Sequence, residues 1–258
     1  MNRFARFAAA AAAVLPLSYN PCIHADGSTT ALTRDEVTVV KRKLQAIEAA
    51  LGAPPAGFEK ANESFSLPTD YSSGDEAKHT YYPINGSVNL KFDGGTARVS
   101  QEANAQSTDI QKRMQDALAK NDYDALAKIQ QEATQQYSGL QSKAMDANSK
   151  GTIDVNIELN NGGGNGIDPD AVLFEKPGVL ALKAPESGNP GQERVSVYVD
   201  PVGLKDSKTL SSVTLRRDET PKKTSVQNAT INLTGPTGAV EAWAKKIDTS
   251  AVVGQVDR

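Results

Sequence analysis

Cysteine occurs once in the chain, at Cys22, and histidine twice, at His24 and His79. One cysteine permits no intrachain disulfide, and a zinc site built from Cys and His lacks ligands. A Ser-His-Asp triad would have to recruit His79 from a polar stretch, and no G-x-S-x-G elbow presents a serine. The S-x-x-K and K-T-G pair of serine–lysine enzymes is missing, as is the phosphate-cradling P-loop. Aromatic residues make up 5% of the chain, with a single tryptophan, so the stacking aromatics that sugar sites favour are scarce. Charge is nearly balanced, with 28 basic against 31 acidic residues and a net of −3. That balance leaves no electrostatic footprint for nucleic acid or an anionic membrane. Beyond Leu17 no run is apolar for long enough to cross a bilayer.

What is present begins at the N-terminus. Arg3 and Arg6 precede an alanine-rich apolar run from Phe7 to Leu17, and Ile23-His24-Ala25 follows. A basic start, a short apolar stretch and an A-x-A-like site form the pattern of a cleaved signal peptide spanning residues 1–25. Export to a periplasmic or extracellular compartment is therefore expected. Cys22 follows the apolar run, but Pro21 and Tyr19 stand where a lipobox needs a small and an aliphatic residue, which argues against a lipoprotein. Cleavage after Ala25 removes both Cys22 and His24, leaving His79 alone.

Thr33 and Glu36 have the spacing of a capping box. Val37, Val40, Leu44, Ile47 and Leu51 then recur at helical intervals, and Gly52 with Pro54 and Pro55 ends the run. Residues 53–83 read as loop, with a short edge strand at 78–83. Ser87–Phe92 reads as a strand, and Asp93-Gly94-Gly95 as a turn into a second short strand at 97–99. A helical hairpin is expected at about 106–148, broken at Asn121-Asp122 with Asp122 as cap. Its alanine-heavy stripes favour packing onto the chain's own sheet over service as a coiled coil. Ile153, Val155, Ile157 and Leu159 alternate with Asp154, Asn156, Glu158 and Asn160, the clearest strand of the chain. Such alternation means a sheet with one dry face and one wet face. Further strands are expected at 179–183, 194–200, 212–217 and 226–233. A last helix carries Val240, Trp243, Ala244 and Ile247, followed by a strand at 251–256. Ser87–Leu90 and Thr230–Leu233 echo one another, each ahead of a glycine turn and a helix, which raises a duplicated β-α-β unit.

The fold class is thus α+β: an antiparallel or mixed sheet with a long helical hairpin and one further helix near each end. Residues 26–160 and 161–258 divide the exported chain into an α+β half and a β-rich half, with one continuous domain as the alternative. Two places offer chemistry. Tyr71, His79, Tyr81 and Tyr82 could line a ligand groove. Asn160, Asn161, Asn165, Asp168 and Asp170 place oxygen ligands in a glycine-rich loop, a set that suits a hard cation, although Asx-rich turns without metal have the same composition. No cofactor motif is found: the glycines at 162–166 do not open a helix, so a pyrophosphate would have no dipole to rest on. The functional expectation is a non-catalytic binding or interaction protein of the cell envelope, taking a small ligand or an envelope protein as partner. The alternative is a metal-independent hydrolase working through carboxylates or His79.

Overall fold

The structure is a computed structural model that describes residues 29–257. The signal-peptide pattern, with Cys22 and Ala25, lies outside the described residues. In chain order the first elements are β1 (Thr29–Ala31), α1 (Arg34–Ala50), β2 (Glu59–Ser66), β3 (Asp70–Ser72) and β4 (Gly86–Asp93). The helical hairpin follows as α2 (Thr96–Ala119) and α3 (Tyr123–Ser149). After it come β5 (Thr152–Leu159), β6 (Gly164–Gly166), β7 (Val172–Lys176), β8 (Val179–Pro185) and β9 (Gln192–Val199). The chain closes with β10 (Ser212–Thr214), β11 (Ala229–Pro236), α4 (Ala239–Ala244) and α5 (Thr249–Val253).

Seven strands form one antiparallel sheet in the order β2-β4-β5-β11-β9-β8-β7, so the fold is α+β. The sheet draws on both halves of the chain. Ile153, Val155, Ile157 and Leu159 face inward with Val88, Leu90, Ile231, Leu233, Val195 and Val197, as the alternation requires. On that dry face lie α1, α4 and α5. The expected capping box is formed: Thr33 accepts from the Glu36 amide and the Glu36 carboxylate accepts from the Thr33 amide. Gly52, at φ 69°, takes the left-handed conformation that lets the chain leave α1. Trp243 is buried, meets Phe92 edge to face at 4.9 Å, and donates its indole N–H to the Leu51 carbonyl at 2.9 Å. It therefore joins α4 to the end of α1, a packing role.

Several local expectations are corrected. Residues 97–99 are helix: the Asp93 carboxylate accepts from the Gly95 amide and the Thr96 hydroxyl, which starts α2 directly after β4. The hairpin thus spans 96–149, with the break at Asn121-Asp122 and the Asp122 cap as expected. Residues 53–83 contain β2, an exposed edge strand whose side chains show no alternation of burial. Residues 78–83 form no strand; Tyr81 makes only isolated bridges to Ser73 and Thr220. Residues 251–256 do not form a strand, because Asp248 caps α5 through the amides of Ser250 and Ala251. Without that strand the second β-α-β unit is incomplete. Finally, the hairpin does not lie on the sheet. It packs on itself around Val99, Leu140 and Ala147 near its base and around Ile110, Ala117 and Ile129 further out, clusters separate from the main core. It is an arm projecting from the β4–β5 end of the sheet. A Cβ at Gly94 would collide with the Ala147 carbonyl, so the arm's base is too tight for any other residue there.

Candidate functional site: the open face of the sheet

Among the described residues, the face opposite α1 is left open over its central strands. Because side chains alternate, strand register decides which residues share this face. Ser64 pairs with Asn89, Asn89 with Asn156, Asn156 with Asn232, and Asn232 with Ser196. These five positions make one row across β2, β4, β5, β11 and β9. The Asn156 side-chain amide donates to Asn89 Oδ1 at 2.7 Å, and the Ser196 hydroxyl donates to Asn232 Oδ1 at 2.7 Å. Asn156 Oδ1, in the middle of the row, is buried and has no hydrogen-bond partner among the described residues. On one side runs a parallel row with Lys91, Asp154, Thr234 and Arg194; on the other, one with Ser87, Glu158, Thr230 and Tyr198.

Three cavities of about 800, 450 and 530 Å³ lie along this face. Arg194 borders the first two and Glu158 the last two, so they form a continuous trough. The largest is walled by β6, which pairs with β10 in a two-stranded ribbon, and by the segment after β6. That ribbon rests on a second apolar cluster, with Leu180 and Tyr198 on the sheet and Leu204, Val213 and Leu215 above them. A buried ion pair anchors it: Asp200, fully buried, receives Arg216 Nε at 2.8 Å, the Arg216 amide at 2.9 Å and the amides of Val202 and Gly203.

The glycine-rich loop borders this trough, and Asn160, Asn161, Asn165 and Asp168 are each engaged by hydrogen bonds within the protein. Asn160 is buried at φ 56°, donates to the carbonyls of Ile84 and Ser225, and accepts from the Gln227 amide. Asn161 donates to Glu158 and accepts from the Gly163 amide. Asn165 donates to the Tyr198 hydroxyl at 2.7 Å, and Asp168 caps a helical turn through the Asp170 amide. Asn165, Asp168 and Asp170 line the largest cavity, Asn161 the third. Among the described residues no three His, Cys, Asp or Glu side chains converge as a metal-ligand group.

The tyrosine set falls elsewhere. Tyr71 and Tyr81 meet edge to face at 5.4 Å, and the Lys223 ammonium sits 4.1 Å from the centre of the Tyr71 ring. Lys223 also pairs with Glu36 at 3.1 Å, which raises its affinity for a proton. The Glu36 carboxyl is held below its usual range by the Thr33 amide first and by Lys223 second. A cation of the chain itself thus occupies the aromatic pair, in a cation–π arrangement. Tyr82 and His79 are exposed, and neither borders the trough. The open-face row was missed at the sequence level because its members come from five strands. Only Asn156 was visible as part of a wet face; the pairing partners needed the register.

Searches of protein-family models, of curated proteins and of solved structures find no match to this chain. Among the described residues no helix is long and apolar enough to cross a membrane.

Proposed function

We propose that this is an exported binding protein that holds a neutral, hydroxyl- or amide-rich ligand, of which an oligosaccharide is the representative, along the open face of its sheet. The observation that carries the reading is the Ser64–Asn89–Asn156–Asn232–Ser196 row, four members of which line the cavity of about 450 Å³. Their amides and hydroxyls are presented together to whatever occupies that cavity. Amides and hydroxyls each donate and accept, which suits a ligand whose own groups do both. Lys91, Asp154, Glu158 and Arg194 flank the row and would orient a ligand lying along it.

The test is an array of neutral oligosaccharides probed with the protein recovered from the exporting cell. Retention should be lost on Asn156→Leu and Asn232→Leu while melting temperature is kept. Absence of retention, or retention indifferent to both substitutions, would overturn the reading. Mass spectrometry of the same sample should give Asp26 as the N-terminus; a lipid-modified Cys22 would instead make it a tethered protein.

A further inference from the structure

The arm formed by α2 and α3 has two unlike sides. On a wheel of about 100° per residue, the charged residues of α2 fall within a sector of about 100°, from Lys112 round to Arg113. Those of α3 fall within a similar sector of about 100°, from Asp124 to Lys143. The two charged sectors meet across one seam of the hairpin, where Arg113 pairs with Glu132 at 2.6 Å and Lys143 with Glu102 at 2.8 Å. The opposite side carries no charge on either helix. Ser100, Gln141, Ala144 and Asn148 from the uncharged sectors line one shared groove of about 320 Å³ near the base, so both sectors face the same way.

That uncharged side also gathers the arm's exposed apolar groups. Leu118 is 56% exposed, Tyr123 71%, Tyr137 48% and Met145 67%; they are four of the eight large exposed hydrophobic residues among those described. All four lie in the uncharged sectors. Leu118 and Tyr123 flank the turn at the tip, whereas the groove lies at the base beside Val99, Ala103 and Leu140. Loss of charge with gain of Tyr and Met is the composition of an interface centre.

We propose that this face binds the same face of a second copy of the chain, tip to base, to give an antiparallel four-helix assembly. Three features select a second copy. A face without charge meets no like-charge repulsion when it pairs with itself. Its remaining groups, Asn104, Gln111, Gln115, Gln130 and Gln141, carry amides, each donor and acceptor, so the face is chemically self-complementary as a two-fold interface demands. A two-fold axis near the middle of the arm also brings Leu118 and Tyr123 of each copy over the base groove of the other. The size is sufficient. An arm of 24 residues is about 36 Å long. With helices about 9 Å apart and about 10 Å across, its face covers roughly 700 Å². Two copies then bury roughly 1,400 Å², within the range of specific interfaces.

The experiment is sedimentation of the full exported protein over a wide concentration range. A dimer is expected, and Leu118→Lys should weaken it at least tenfold while helicity by circular dichroism is unchanged. Lys128→Ala on the charged side should leave it intact. A cysteine-free exported chain also permits a directed cross-link: a mixture of Ser100→Cys and Leu118→Cys proteins should give a mixed disulfide faster than either alone. A monomer at every concentration overturns the proposal. So does a dimer indifferent to Leu118→Lys, or one that cross-links preferentially through two copies of the Leu118→Cys protein.

Discussion

Asp200→Asn tests whether the ribbon that walls the largest part of the trough depends on one ion pair. Asp200 is fully buried, and the Arg216 side chain is 21% exposed. Four donors converge on the two carboxylate oxygens: Val202 N at 3.1 Å, Gly203 N at 2.8 Å, Arg216 Nε at 2.8 Å and Arg216 N at 2.9 Å. An amide of the same shape has only one oxygen, so its NH₂ must point at a donor. Breaking a buried pair by neutralising one partner costs about 3–5 kcal/mol. The lower end applies because Arg216 retains the carbonyl of Gln227 at 3.2 Å and reaches that of Asp257 at 3.4 Å. About 3 kcal/mol corresponds to a melting temperature lower by roughly 6–12 °C in a domain of this size. Arg216→Gln should cost a comparable amount, and the double variant less than the sum by about 1 kcal/mol or more. Urea unfolding of the four proteins measures the cycle. A loss below about 1 kcal/mol for Asp200→Asn, or strict additivity, would show that the pair does not anchor the ribbon. Because that ribbon carries Asn165, oligosaccharide retention should weaken in step.

Ile157→Asp places a carboxylate on the dry face between Val88 and Ile231 and should cost several kcal/mol; Glu158→Lys on the open face should cost about 1 kcal/mol or less, and equal melting temperatures would reverse the facing of the sheet. Asp93, held below the ordinary carboxylate range by the Thr96 hydroxyl and then the Gly95 amide, gives stability that is complete above its unfolded value and is lost as pH falls through its folded value. Asp93→Ala should therefore lower stability by about 1 kcal/mol at neutral pH, with the gap closing on acidification; a gap that widens in acid would contradict the role of these hydrogen bonds.

Elements whose signal is local were legible in the sequence. The Thr33–Glu36 box, the Asp122 cap and the alternation of 152–159 each concern neighbours within a few residues, and each is present. What failed depended on partners far away in the chain. Glu59–Ser66 shows no alternation because it is an edge strand with both sides exposed, so only pairing with Gly86–Asp93 makes it β. Leu180 and Tyr198 point to the face expected to be wet, and they are dry because Leu204, Val213 and Leu215, from segments outside their own strands, cover them. For the candidate site, Asn156 and Glu158 could be placed on the wet face from period two alone. Their row-mates Asn89, Asn232 and Ser196 could not, since a slip of one residue would turn any of them inward.

The placement of the arm between β4 and β5 bears on the order of folding. Asp93 and Thr152 are directly paired, yet the whole arm lies between them. Closing an unstructured loop that long, in place of a four-residue turn, would cost about 2 kcal/mol of chain entropy. Two helices that zip locally remove most of that cost, because they return Gly95 and Gly151 to the same place before the strands meet. The β4–β5 pair then forms as a hairpin would, and the arm acts as its turn. Substitutions at Ile110 or Ile129, far from any strand, should consequently slow refolding of the sheet as well as unzip the arm.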